Sequence, residues 1–195
     1  MILPREFYLR PVQIVAREML GKRLVHLIGK QRVGGIIVEA EAYDGEQDLA
    51  CHARTGRTER NKVMYLQGGH AYVYFTYGMH WMLNCVTGET GYPSAVLIRS
   101  IVPAEGLDFI KVQRSDSPEK IWCNGPAKLT KALAITGKLN GCDLCDPRGS
   151  LFIEYSAEAA ESEVKSTPRI GIQSTPEPWL SKPWRYVVEL SKDKN

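Results

Sequence analysis

Ala71-Tyr72-Val73-Tyr74-Phe75-Thr76-Tyr77-Gly78-Met79-His80-Trp81-Met82-Leu83-Asn84 reads as two apolar strands folded back on each other about a glycine. Successive strand side chains point to opposite faces, so Tyr72, Tyr74 and Thr76 share one of them. The length of the turn then decides where Asn84 goes. A three-residue loop, Tyr77-Gly78-Met79, pairs Thr76 with His80 and Tyr74 with Met82, leaving Asn84 opposite Tyr72 on the Tyr74 face. A two-residue turn sends Asn84 to the other face; the spacing predicts the three-residue loop. Tyrosine, phenylalanine and tryptophan are ordinary strand formers, and sheet packing accounts for part of this stretch. A buried phenol needs a hydrogen-bond partner, however, and so many tyrosines together point some rings toward a ligand. Tyr77 falls where turns carry small or polar residues. An aromatic at a hairpin tip has no core to join and suits the role of a wedge.

The same reading extends along the chain. Pro11 to Gly21 is predicted as a short amphipathic helix, with Val12, Val15 and Met19 on one face and glycine as its stop. Strands follow at Arg23 to Leu27 and Val33 to Tyr43, separated by the turn-like Gly29-Lys30-Gln31. Another strand is expected at Ser94 to Ile101, after a Gly88 to Pro93 connection. Asn124 is predicted to cap a helix from Gly125 to Ile135 that buries Leu129, Ala132 and Leu133. Leu151 to Tyr155 and Tyr186 to Leu190 read as strands, with proline-bearing loops at 167–169 and 175–183. Strands joined by short turns imply a mixed α+β architecture. The expectation is one domain over residues 1–195, with an antiparallel sheet or partial barrel at its core.

Composition narrows the function classes. No apolar run reaches the ~18 residues of a membrane span, and Arg5, Arg10, Arg17 and Glu18 interrupt any signal-peptide pattern, so a soluble, intracellular protein is expected. Five cysteines form an odd set without a small-scaffold spacing, which predicts reduced thiols. Cys142 and Cys145 make a Cys-x-x-Cys pair, but a zinc site needs about four ligands and no second pair follows. The turn-like Asp146-Pro147-Arg148-Gly149 replaces the helix a redox motif would want. No metal or cofactor is expected. The net charge of +3 is permissive toward nucleic acid, and its distribution says more. Arg54, Arg57, Arg60 and Lys62 crowd around a single acid, Glu59, which reads either as a solvated loop or as a phosphate-contacting one.

In Ile37-Val38-Glu39-Ala40-Glu41-Ala42-Tyr43, alternation places Glu39, Glu41 and Tyr43 on one face. Neighbouring carboxylates repel, which raises the pKa of at least one, as a general base working near neutrality requires. Spacing does not choose between Glu39 and Glu41. A carbohydrate hydrolase would need its acid/base pair to flank the scissile bond, whereas two carboxylates on one strand approach from one side. A non-catalytic nucleic-acid-binding β domain, with tyrosines as stacking platforms, is a further alternative.

Glu39-Ala-Glu41-Ala-Tyr43, His52-Ala-Arg54, Ala71 to Met79 with Asn84, Leu97-Ile-Arg99, Asn124-Gly-Pro126-Ala-Lys128-Leu and Arg169-Ile-Gly171-Ile172 together resemble the alkyladenine (3-methyladenine) DNA glycosylase family. The blocks run in that family's order over nearly the whole chain. The resemblance implies a single DNA glycosylase domain, mixed α+β with an antiparallel β core, flanking helices and a protruding DNA-inserting β-hairpin, that excises alkylated or deaminated purines from double-stranded DNA without a cofactor. It implies a monomer working in the cytoplasm and nucleoid of a bacterium or the nucleus of a eukaryote. By the same resemblance, Glu41 is the general base and Arg99 helps hold the attacking water, with the Ile172 carbonyl as a further contact. Tyr43, His52 and Tyr74 form the base pocket, and Asn84 discriminates against the amino group of normal guanine. Tyr77, with Met79 beside it, intercalates in the minor groove of the DNA. The basic residues Arg54, Arg57, Arg60 and Lys62 then read as contacts to the DNA backbone. Tyr72 is left as an ordinary core tyrosine.

Overall fold

The computed structural model describes residues 1–156 and 164–188. Two short helices, α1 (Arg5–Tyr8) and α2 (Val12–Glu18), lead into strands β1 (Arg23–Ile28) and β2 (Gln31–Asp44). The hairpin strands β3 (Ala71–Thr76) and β4 (His80–Thr87) precede β5 (Ser94–Glu105), α3 (Leu107–Gln113) and α4 (Pro126–Ala132). Short strands β6 (Leu151–Glu154), β7 (Lys165–Thr167) and β8 (Arg185–Val187) complete the described chain. Of the strand expected at Tyr186 to Leu190, the last two residues lie outside the described residues.

All eight strands belong to one antiparallel sheet, ordered β3-β4-β5-β2-β1-β6, with β8 also on β2 and β7 on β8. The long strand β2 makes this branching possible. Its first half pairs with β1 from Gln31 to Ile36, and its second half pairs with β8 from Glu39 to Glu41, on the edge opposite β5. Between the two, the register against β5 shifts, leaving Val38 on β2 and Arg99 on β5 without opposite residues. Such bulges bend a strand and raise its twist, so one edge of β2 serves two partners in succession.

Alternation along the strands sorts the two faces. Ala40, Ala42, Val73, Leu83, Cys85, Val96 and Ile98 join the large core under α2 and α4. Val12 and Val15 of α2 and Met19 at its C-terminal end are buried in it as predicted, and so are Leu129, Ala132 and Leu133. The other face carries Glu39, Glu41, Tyr43, Tyr72, Tyr74, Asn84, Leu97 and Arg99, with a smaller cluster of Cys51, Ala53, Val63 and Met64 beneath the basic loop. The predicted cap of α4 needs correction. Gly125, at φ 148°, is the N-cap, while Asn124 forms a bridge with Ser100 and takes a bond from Lys128. Pro126 at the first helical position needs no cap for its nitrogen. The five cysteines are free thiols.

The hairpin has the register of a three-residue loop: Thr76 opposite His80, Tyr74 opposite Met82, Tyr72 opposite Asn84. The backbone N–H of Met79 donates to the Thr76 carbonyl, and Tyr77 and Gly78 both have positive φ, at 52° and 67°. Two left-handed residues in succession are what a type I′ turn requires, here with Met79 as an additional residue.

Close strand packing is sharpest where β2 runs between β1 and β5. A Cβ on Gly34 would lie 2.1 Å from the Leu24 carbonyl oxygen, and one on Gly35 would lie 2.1 Å from that of Val102. Both obstacles are backbone, which cannot rotate away. Gly35→Ala should therefore destabilise the fold by about 1–3 kcal/mol, checked by denaturant melts against wild type.

Candidate active site

Glu41 lies at the centre of the polar face and is fully buried. Its carboxylate accepts three hydrogen bonds, each from a different part of the chain. The Ile170 N–H donates to Oε1 at 2.7 Å, and the Tyr43 hydroxyl and Arg99 Nη1 donate to Oε2 at 2.9 and 3.2 Å. Burial outweighs these donors and raises the pKa of Glu41, with Arg99, Ile170 and Tyr43 pulling it down and Glu39 pushing it up. Glu39 sits in different surroundings. It accepts from Arg99 Nε at 2.9 Å and from Arg185 Nε at 2.6 Å, so two guanidiniums neutralise it. The carboxylates that spacing left equivalent are thus separated by their neighbours: one tied to cations, the other buried with a raised pKa beside a cavity.

That cavity has a volume of about 290 Å³, near the lower end of the ~300–1,000 Å³ usual for small-molecule pockets. Tyr43, His52, Tyr74, Asn84, Arg99 and Ile172 all line it, as do Thr76 and Tyr77 of the hairpin. Hence the residues expected to form a base pocket are brought together from β2, β3, β4, β5 and the loops after β2 and β7. Strand pairing explains the convergence: Leu97 lies opposite both Asn84 and Glu41, placing β4 and β2 on either side of it. Asn84 is buried, and its Nδ2 donates to the Tyr72 carbonyl at 3.1 Å. The Ile172 carbonyl accepts from the Thr175 N–H and retains a second lone pair.

His52 packs edge-on against Tyr74, with ring centroids 4.5 Å apart, and its Nδ1 lies 3.0 Å from the Tyr72 hydroxyl. Desolvation of the ring, then Arg60 and Arg54, lower its pKa to about 4, although the residue keeps an edge exposed to solvent. The imidazole is therefore neutral at physiological pH. Tyr72 is buried, as an ordinary core tyrosine would be, yet it also lines the cavity and anchors His52 through its hydroxyl.

The basic stretch is a built loop whose cations face solvent. Buried Asn61 donates from Nδ2 to the carbonyls of His52 and Gly56 and accepts from the Thr58 N–H. Arg54, Arg57, Arg60 and Lys62 are exposed around that staple. Arg60 lies 5.4 Å from the centre of the Tyr74 ring, Arg57 lies 5.7 Å from that of Tyr65, and Lys62 pairs with Glu59. At the hairpin tip Tyr77 is 82% exposed and Met79 67%. Such exposure leaves both side chains without a core to stabilise them.

Sequence reasoning gave no role to Asp48, Asn61 or Arg169, and it used Ile170 only as part of a motif. Asp48 and Arg169 form a fully buried, two-pronged ion pair between the turn after β2 and the segment that supplies Ile170. A signal was available in Arg169, a cation in an otherwise apolar and glycine-containing motif, but its partner is 121 residues away. Local patterns do not reach that far. Among the described residues no group of His, Cys, Asp and Glu could hold a metal ion, and no helix is long and apolar enough to cross a membrane.

Comparison with known proteins shows the family. The family model for methylpurine-DNA glycosylase matches residues 6–192. A protein of Carboxydothermus hydrogenoformans, assigned by name as a 3-methyladenine DNA glycosylase, is 46% identical over 98% of this chain and 97% of its own length. Relatives given the same name in Methanocella arvoryzae and Myxococcus xanthus are 47% and 44% identical, covering 100% and 97% of this chain and 93% and 91% of theirs. With the match spanning nearly every element that builds the cavity, this chain belongs to the methylpurine-DNA glycosylase family.

Proposed function

We propose that this chain is a monofunctional DNA glycosylase of base excision repair, in which water activated by Glu41 hydrolyses the N-glycosidic bond of a damaged purine. The substrates are alkylated or deaminated purines of the 3-methyladenine, 7-methylguanine, hypoxanthine and ethenoadenine class. The observation that carries the reading is the buried Glu41, with its raised pKa, directly behind an aromatic cavity whose lining includes its three hydrogen-bond donors, Tyr43, Arg99 and Ile170. The names of its relatives support 3-methyladenine among these substrates.

A glycosidic bond inside a stacked duplex is out of reach, so the nucleotide must be flipped out at a cost of a few kcal/mol. Each base–aromatic stack contributes ~1–3 kcal/mol. Tyr43, His52 and Tyr74 as pocket walls, with Tyr77 filling the vacated stack and Met79 beside it, offset the flip. Arg54, Arg57, Arg60 and Lys62 grip the backbone of the duplex. A cationic alkylpurine gains further from the aromatic faces, while Asn84 discriminates against the amino group of normal guanine. In the chemical step, the water oxygen bonds to C1′ and the C1′–N bond breaks. Its electron pair leaves with the purine, and Glu41 takes the proton of the water. Arg99 and the Ile172 carbonyl hold that water. The product is an abasic site with an intact backbone, made by a monomer that needs no cofactor and works on genomic DNA inside the cell.

The cavity's size and the pairing of Glu39 with Arg99 and Arg185 argue against a glycan hydrolase using Glu39 and Glu41, since the cavity suits a single ring system and Glu39 is tied to two guanidiniums.

The decisive assay incubates duplexes carrying each of these lesions with the protein and cleaves abasic sites with alkali. Base release is expected from one or more of them, and Glu41→Gln should abolish it while leaving lesion binding largely intact. Binding unaffected by every glutamate substitution, with no base release from wild type, would instead mark a non-catalytic DNA-binding domain. The base works only when ionised. Excision of a neutral lesion should therefore fall as pH drops through the raised Glu41 pKa, with its acid limb above the ~4.3 of an ordinary glutamate; His52, at about 4, stays neutral over that limb. Tyr77→Ser should weaken binding to a lesion duplex by about 10- to 100-fold. It should affect the same base in single-stranded DNA less, because flipping there costs less.

A further inference from the structure

We propose that the buried Asp48–Arg169 pair is a positioning unit of the excision site, touching no substrate and fixing Tyr43 and Ile170 around Glu41. The inference rests on Glu41 acting as the base. Arg169 reaches every element that shapes that base except the hairpin and β5. Its Nη1 donates to the Ala42 carbonyl at 2.9 Å, between Glu41 and Tyr43 on β2, and its Nη2 donates to the Trp179 carbonyl at 3.3 Å. Both terminal nitrogens donate to the Asp48 carboxylate. The guanidinium carbon lies 4.7 Å from the centre of the Tyr43 ring, so the planar cation also supports a cavity wall. The residue that follows, Ile170, donates its N–H to Glu41 Oε1.

Asp48 extends the link in the other direction. Its carboxylate accepts from the backbone N–H groups of Asp44 and Ala50, shaping the turn that delivers His52 to the cavity. One ion pair therefore sets the end of β2, the approach to His52 and the 169–172 segment together.

Stability alone explains this arrangement poorly. A buried ion pair is often no better than well-packed apolar residues of the same volume. Here Arg169 Nε has no hydrogen-bond partner among the described residues, which adds a cost. A planar cation making several fixed hydrogen bonds does, however, define position closely. An apolar side chain in its place leaves the Ile170 N–H free to drift from Glu41.

The charged and titratable groups facing Glu41 are Glu39 and Tyr43 from β2, Arg99 from β5, Tyr74 from β3, Arg185 of β8 through Glu39, and Arg169 behind Tyr43. Of its hydrogen-bond donors, the Ile170 N–H is the one Arg169 controls directly, and it lowers the Glu41 pKa. Loss of that bond moves the pKa further up.

The test uses the full chain and single-turnover excision of a neutral lesion across a pH series. Arg169→Lys keeps the charge and loses the two-pronged planar geometry; Asp48→Asn keeps the shape and loses the charge. Each is expected to lower the maximal rate by about 10- to 100-fold and to move the acid limb upward by about half a pH unit or more. Lesion affinity should change much less. A folded variant with a wild-type rate and an unmoved limb overturns the proposal. Loss of folding in both variants overturns it too, since the pair would then belong to the core. Glu41→Gln, measured alongside, separates the outcomes. If Glu41→Gln is inactive and the pair variants behave as wild type, the inference fails and the catalytic reading stands. If Glu41→Gln retains turnover, the catalytic reading fails and takes the inference with it.

Discussion

Glu41 is a carboxylate without access to solvent, and the architecture around it follows from keeping it tolerable there. An isolated ionised carboxylate in a protein interior costs many kcal/mol unless hydrogen bonds and opposite charge replace its hydration. Ile170, Tyr43 and Arg99 supply these from a loop, from the same strand and from the neighbouring strand. Compensation is deliberately incomplete in effect, for burial still raises the pKa. Without those donors a carboxylate buried at this place would stay protonated or unfold the sheet.

Two features of the sheet deliver those donors. The bulge that leaves Arg99 without an opposite residue lets its guanidinium span Glu39 and Glu41. Bulges next to active sites commonly re-aim side chains in this way. The branching of β2 then brings β8 alongside Glu39 to Glu41, carrying Arg185 to Glu39. Behind both lies the Asp48–Arg169 pair, which ties the returning chain to the end of β2. Cations thus surround the polar face on its inner side, while the loop of Arg54, Arg57 and Arg60 presents positive charge outside. A polyanion approaching that mouth meets attraction before any specific contact forms.

The hairpin stands apart energetically from this packed region. Tyr77 has a positive φ, sparsely populated by non-glycine residues, and its ring is exposed together with Met79. Local strain and solvated apolar surface are costs that folding alone does not recover. The base of the same hairpin is secured, with Tyr72 and Tyr74 in the cavity wall and Thr130 of α4 donating to the Trp81 carbonyl. A rigid base and an exposed tip are what a wedge needs.

The sequence by itself determined the strands other than β7, the hairpin register and the shared face of Glu39, Glu41 and Tyr43, because each depends on a two-residue period or a turn length that neighbouring residues set. Through the resemblance of its motifs it also named Tyr43, His52, Tyr74, Asn84 and Ile172, which line the cavity, while Tyr72, read as a core residue, lines it too. Where competing local signals existed it was less reliable: Asn124 looked like a cap, but pairing with Ser100 drew it into the sheet and left Gly125 at the helix start. Only the tertiary structure decided between the environments of Glu39 and Glu41, since desolvation and charge come from Arg99, Arg185 and Ile170, distant in the chain. The partnership of Asp48 with Arg169 was likewise decided in three dimensions. A salt bridge between residues 121 positions apart leaves no periodic trace, and it exists because the fold brings a turn and a loop together where water cannot follow.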